Sequence, residues 1–110
     1  MKPIVTRLVG VSFNGAQENI KKFGCADIGS FELVREADNE HDPNAIRVVI
    51  AEFFLGYVPK NIAAWLAPRM DAGKRLGAEY VCLNKHPYHD AVGLTVRIYN
   101  SFDNFITKAR

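Results

Sequence analysis

A mainly β domain with one or two helices, built from six short strands that close a small barrel or sandwich, is the fold class this α+β sequence predicts. Val92, Leu94, Val96 and Ile98 alternate with Gly93, Thr95, Arg97 and Tyr99, the period of a strand with one buried face. Ala45 to Ile50 and Phe53 to Val58 are β-rich runs parted by Ala51 and Glu52 alone, so they pair as a hairpin with no glycine to name its turn type. From Lys60 onward, Ile62, Trp65, Leu66 and Met70 follow helical spacing.

The remaining elements follow in chain order. Ile4 to Val11 alternates as a first strand, and Gly10 within it marks a bulge or a close backbone approach. Asn14 to Gly24 is polar except at Ala16, Ile20 and Phe23, a spacing that permits about two helical turns closed by Gly24. Ser30 to Glu36 sets Phe31, Leu33 and Arg35 against Glu32 and Val34, another half-buried strand. In the helix from Lys60, Pro68 breaks or restarts the element and Gly73 ends it. Tyr80 to Asn84 and Val92 to Tyr99 are the last strands, joined by the polar turn K-H-P-Y-H-D. Asn100 to Arg110 leaves the strand pattern. Phe102, Phe105 and Ile106 suit a short helix closing one end of the barrel, with docking on a partner or a second copy as the alternative.

Composition narrows the function classes. A chain of 110 residues fits one domain, 1–110, able to bury a core without metal or disulfide staples. No window approaches the ~18 continuous apolar residues of a membrane span, and MKPIVTRLVG lacks the apolar core of a signal peptide, so a cytoplasmic protein with no membrane partner is expected. Cys25 and Cys82 then read as reduced core thiols. A net charge of +2 does not by itself announce nucleic-acid binding, so any basic footprint must be local. Cys82, His86 and His89 supply three zinc-competent ligands, but a structural site needs four, and no metal or other cofactor is expected. With no phosphate-binding loop, nucleophile elbow or metal-hydrolase motif, the chain does not read as an enzyme.

One loop stands out. Arg35 to Ile46, READNEHDPNAI, gathers four carboxylates, two asparagines and a histidine between two apolar strands. Asn and Asp side chains bond nearby backbone, and Pro43 fixes its own φ while pushing Asp42 towards an extended conformation, so a rigid loop is expected. Asn39 and Asn44 read first as turn stabilisers.

VGVSF at 9–13, LVREADNEHDPNAIRV at 33–48, LGYVP at 55–59 and the following helix with its Met-Asp-Ala-Gly end resemble the HIRAN domain in order and spacing, over roughly Thr6 to Ile98. The resemblance implies a six-stranded OB-like barrel with two helices, of the kind that stands alone in bacteria and phages or is fused to helicase-like ATPases and ubiquitin ligases. It also implies binding of single-stranded DNA with preference for a free 3′-hydroxyl, as in DNA-repair and replication-fork proteins, with helicases or nucleases as partners. Carried over by position, Asp42 accepts from the 3′-hydroxyl with Asn39 as its loop neighbour, Phe13 stacks on a base and Lys60 holds phosphate. His41 stands where the DNA readers carry a tyrosine. Ser12, Phe13 and Asn14 stand where they carry an arginine and two aromatics.

The chemistry of these roles is sound on its own terms. A carboxylate accepts from a terminal hydroxyl and repels a terminal phosphate, which sorts ends without reading sequence. A side-chain ring stacks on any base for about 1–3 kcal/mol, and Phe13 and Tyr57 are the rings best placed. Histidine stacks as well, and contacts phosphate when protonated. Each residue also has a structural reading: Asp42 as a loop cap, Phe13 as core in period with Val9 and Val11, Tyr57 as a barrel-rim aromatic and Lys60 as a solvated charge at a helix start. Arg35 reads as the partner of a local carboxylate, with phosphate contact as the alternative. The rival function is a protein-interaction or assembly module on the same barrel, using its tail and an exposed strand edge.

Overall fold

The computed structural model describes residues 1–101, so the helix or docking segment expected around Phe102, Phe105 and Ile106 lies outside the described residues. Six strands, β1 (Ile4–Arg7), β2 (Ser30–Arg35), β3 (Ile46–Ile50), β4 (Phe53–Tyr57), β5 (Leu76–His86) and β6 (His89–Asn100), join one antiparallel sheet in the order β1-β6-β5-β2-β3-β4. Helices α1 (Ala16–Phe23) and α2 (Lys60–Asp71) pack with this mainly β half-barrel. Its core includes Phe31, Ile46, Val48, Leu55, Leu94, Val96 and Ile98 from the strands, with Ile20 of α1 and Leu66 of α2, all fully buried.

The β3–β4 hairpin turns at Ala51 and Glu52, whose φ angles are 46° and 74°. Two successive left-handed residues give the turn whose twist matches that of its strands, at a cost on the order of 1 kcal/mol for each non-glycine residue. The last two strands run well past the expected 80–84 and 92–99. Lys85 pairs with Val92 and His86 with His89, because a backbone ladder does not require apolar side chains once both strands leave the core.

Two expectations need correction. Pro68 does not break the helix: α2 continues through it to Asp71. The carbonyl of Ala64, which loses its donor, belongs to an exposed residue and so is open to solvent. Trp65 on the same helix is 45 % exposed, with the Arg69 guanidinium 3.6 Å from its ring centre. Cys25 and Cys82 are free, as expected, but both are exposed. Cys25 follows the end of α1, and Cys82 sits where a bulge between Tyr80 and Cys82 shifts the alternation of β5.

The first strand also ends early. β1 stops at Arg7, and the chain then crosses between the two edges of the sheet. Leu8 N–H donates to the Leu94 carbonyl at 2.9 Å, while Val9 and Tyr57 exchange two backbone hydrogen bonds of 2.8 Å each. That pair draws β4 towards the continuation of β1 and curls the sheet. Gly56 makes the approach feasible: its φ is 151°, and a Cβ there would lie 2.9 Å from the Val9 carbonyl oxygen and 3.1 Å from side-chain carbons of Leu8 and Val11.

Candidate functional site

The same crossing forms one wall of an open cavity of about 440 Å³. Val9, Gly10, Phe13 and Asn14 line it from one side, Tyr57, Val58 and Lys60 from the other, and Asn39, His41, Asp42 and Ala45 from the polar loop. Six of the seven residues singled out from the sequence, Phe13, Asn39, His41, Asp42, Tyr57 and Lys60, therefore meet at one place.

Phe13 is not core. It is 62 % exposed, on a turn pinned by its own N–H to the Gly10 carbonyl at 3.3 Å and by the Ala16 N–H to its carbonyl at 2.9 Å. Positive φ at Gly10, Asn14 and Gly15 bends the chain out of strand geometry, so the alternation with Val9 and Val11 does not carry through. At Gly10 a Cβ would come within 3.1 Å of the Tyr57 ring, which is the close approach that the glycine signals.

The loop is held by its own side chains. Asn39 Oδ1 accepts from the backbone N–H of His41 at 2.8 Å and of Asp42 at 3.0 Å. Asp42 Oδ1 accepts from the Asn44 N–H at 2.9 Å, and the Ala45 N–H reaches the Asp42 carbonyl at 3.0 Å. Asn39 is thus a turn stabiliser through its amide, whereas Asn44 contributes its backbone N–H. Asp42 caps the loop with one carboxylate oxygen, and Oδ2 has no protein donor among the described residues. His41 and Lys60 are exposed. Lys60 opens α2, whose first turn has no side-chain cap, so its helix dipole adds positive character at this end.

Behind the loop lies Glu36. Its Oε1 accepts from Asn39 Nδ2 and from the Tyr57 hydroxyl, each at 3.0 Å. Its Oε2 lies 3.4 Å from Arg47 Nε, an ion pair too poorly aligned to be a hydrogen bond, and that buried Nε has no hydrogen-bond partner among the described residues. Burial first, and the bond to Glu36 second, raise the Tyr57 phenol above its ordinary value. Arg35 stays out of the cavity. It grips Asp71 through Nε at 2.9 Å and Nη2 at 3.1 Å, and donates Nη1 to the Ala45 carbonyl at 3.0 Å, which ties α2 to the base of the loop. This hydrogen bond lowers the Asp71 carboxyl, an effect that an exposed pair converts into little stability.

The family model of the HIRAN domain matches residues 4–100. This chain belongs to the HIRAN domain family. The family is associated with nucleic-acid binding, and its domain is a binding module. A crystal structure of a protein from Lactobacillus plantarum superposes on this HIRAN domain with a TM-score of 0.62, covering 90 % of this chain and 100 % of that one at 20 % identity, which shows a shared fold. No curated protein matches the sequence. No helix among the described residues is long and apolar enough to cross a membrane.

In this HIRAN domain, sequence reasoning missed Glu36 as the organiser of the site. The signal was the glutamate's place at the strand end beside Arg35, but its partners Tyr57 and Arg47 come from other strands and have no local mark. Cys82, His86 and His89 do not converge: Cys82 Sγ faces Asn84 Nδ2 at 3.6 Å, while the two imidazoles stack with centres 3.7 Å apart. Among the described residues no group of three or more ligating side chains gathers.

Tyr57 offers a test of the framework. A raised phenol means that the folded state holds its proton more tightly than the unfolded chain does. The stability tied to it is therefore complete below the ordinary value of about 10 and is lost as pH rises through the raised value. Tyr57→Phe is expected to cost about 1 kcal/mol at neutral pH. Urea unfolding at increasing pH should show this gap to wild type closing above pH ~10.

Proposed function

We propose that this HIRAN domain binds single-stranded nucleic acid in the cavity between Phe13, Asp42 and Lys60, with preference for a free 3′-hydroxyl end of DNA. The observation that carries the reading is Asp42. One oxygen caps the loop, and the other lacks a protein donor among the described residues, in a residue that lines the cavity. A terminal hydroxyl supplies the missing donor, and a terminal phosphate brings a charge that the carboxylate repels. Beside it, the exposed Phe13 ring takes a base, and Lys60 with the uncapped start of α2 takes a phosphate. His41 adds a second flat ring at the cavity edge. His41 and Asp42 sit on a loop braced by its own hydrogen bonds, so little ordering cost falls there on association.

Fluorescence anisotropy with a labelled strand ending in a 3′-hydroxyl, against its 3′-phosphorylated twin, tests this reading. Wild type is expected to prefer the hydroxyl end by on the order of 10–100-fold, the effect of one hydrogen bond to a charged acceptor worth about 1.5–3 kcal/mol. Asp42→Asn keeps the Oδ1 cap but removes the charge, and is expected to erase the preference. Equal binding of both ends by wild type, or none, sinks the end-reading mechanism.

A further inference from the structure

The segment 7–14 has two sides. Val9, Gly10 and Phe13 line the cavity just described, whereas Arg7, Leu8 and Val11 line a second, open cleft of about 570 Å³ against the β5–β6 hairpin. A third depression of about 450 Å³ shares Lys85, His86 and His89 with that cleft and extends it to Lys21 of α1. The two binding surfaces are thus separated by one short piece of chain.

The chemistry of this second surface is distinctive. Arg7, Lys21 and Lys85 are exposed and pair with no carboxylate among the described residues, and Asp90 is the sole carboxylate lining either depression. The imidazoles of His86 and His89 stack 9° from parallel. Tyr88 at the hairpin tip is 88 % exposed, its ring edge-on to His86 with centres 5.8 Å apart. Around this cleft, a domain whose net charge is only +2 thus sets three cations without a carboxylate partner among the described residues beside open rings.

We propose that this cleft is a second subsite for the same single strand, holding phosphates on the 5′ side of the terminal nucleotides through Arg7, Lys21 and Lys85, with Tyr88 as a stacking platform. The proposal rests on the end-reading function given above. A strand whose 3′ end lies beside Asp42 leaves over the turn at Phe13 and meets the cleft next, because segment 7–14 is the wall common to both. Cations in a groove beside open rings are the combination that binds single strands without regard to sequence. Each phosphate neutralised there releases counterions, so the site declares itself through salt.

The test compares a trinucleotide with a strand of about twelve nucleotides, within the usual range of single-strand site sizes, using wild type, Lys21→Glu/Lys85→Glu and Tyr88→Ala. Wild type is expected to bind the longer strand on the order of tenfold more tightly or better, and the charge-reversal variant to lose that gain while binding the trinucleotide as before. Its log–log salt slope with the longer strand should fall by about 1.4, or 0.7 for each of two phosphates. Tyr88→Ala should lose part of the length gain without changing the slope. Both lysines and Tyr88 are exposed, so these variants keep the fold. Failure of the end reading is recognised separately: wild type then fails to distinguish 3′-hydroxyl from 3′-phosphate, whereas a length gain that depends on Lys21 and Lys85 persists with the phosphorylated strand. A charge-reversal variant that binds the longer strand as tightly as wild type overturns the second subsite.

Discussion

Glu36→Ala is expected to lower stability by about 2–4 kcal/mol and to weaken the binding loop at the same time. The carboxylate is 19 % exposed and holds three partners from different places: Asn39 in the loop, Tyr57 on β4 and Arg47 on β3. Truncation leaves the buried Arg47 Nε facing no charge and the Tyr57 hydroxyl with no acceptor, and an orphaned polar group costs more than the bond it has lost. For a domain of this size the loss corresponds to a fall in Tm of roughly 10–20 °C. Glu36→Gln keeps an acceptor for Tyr57 or Asn39 and loses only the ion pair, so it should cost about half as much. Thermal unfolding of the two variants checks this directly. A change in Tm of only a degree or two for Glu36→Ala would show that the network is incidental.

Gly56→Ala is expected to be as damaging by a wholly different route. Its φ of 151° lies where side-chain-bearing residues are strained, by about 1–3 kcal/mol. The added methyl also meets a backbone oxygen at 2.9 Å, which cannot swing aside as a flexible side-chain end can. Overpacking of this kind adds about 1–3 kcal/mol. The contact that must give way is the Val9–Tyr57 pair, so nucleic-acid affinity should fall with stability even though position 56 does not line the cavity. Amide exchange at Val9 and Tyr57 in the variant, against wild type, distinguishes an opened edge from uniform destabilisation. Protection unchanged at both amides would contradict the argument.

The legible parts of the fold were those in which one face is apolar. Phe31 and Leu33, and the run from Val92 to Ile98, alternate because β2 and β6 each bury one face, and the β3–β4 hairpin is marked by two β-rich runs with a two-residue gap. The hairpin ends of β5 and β6 were invisible because Lys85, His86 and His89 are polar, and the pairing of Lys85 with Val92 and of His86 with His89 needs no apolar face. The early end of β1 was invisible for a different reason: Val9 leaves the first ladder for a partner on β4 that no local pattern names. In the site, loop chemistry announced Asn39 and Asp42, since the side chains that make tight turns are also the ones with spare acceptors. The exposure of Phe13 depends on a left-handed turn after Val11, and the spacing of hydrophobic residues does not encode it. Arg35 was expected to hold a local carboxylate, but its partner is Asp71, 36 residues away at the far end of α2.

The two backbone bonds between Val9 and Tyr57 have a consequence beyond shape. They are the clasp of an otherwise open sheet, and the cavity spans that clasp, with walls drawn from both of the edges it fastens. Any molecule that fills the cavity touches both sides and favours the fastened form over the sprung one. Occupancy and closure are then a single equilibrium: a ligand at a hundred times its Kd adds about 2.7 kcal/mol against opening. A strand bound there, as proposed, tightens the domain at its clasp.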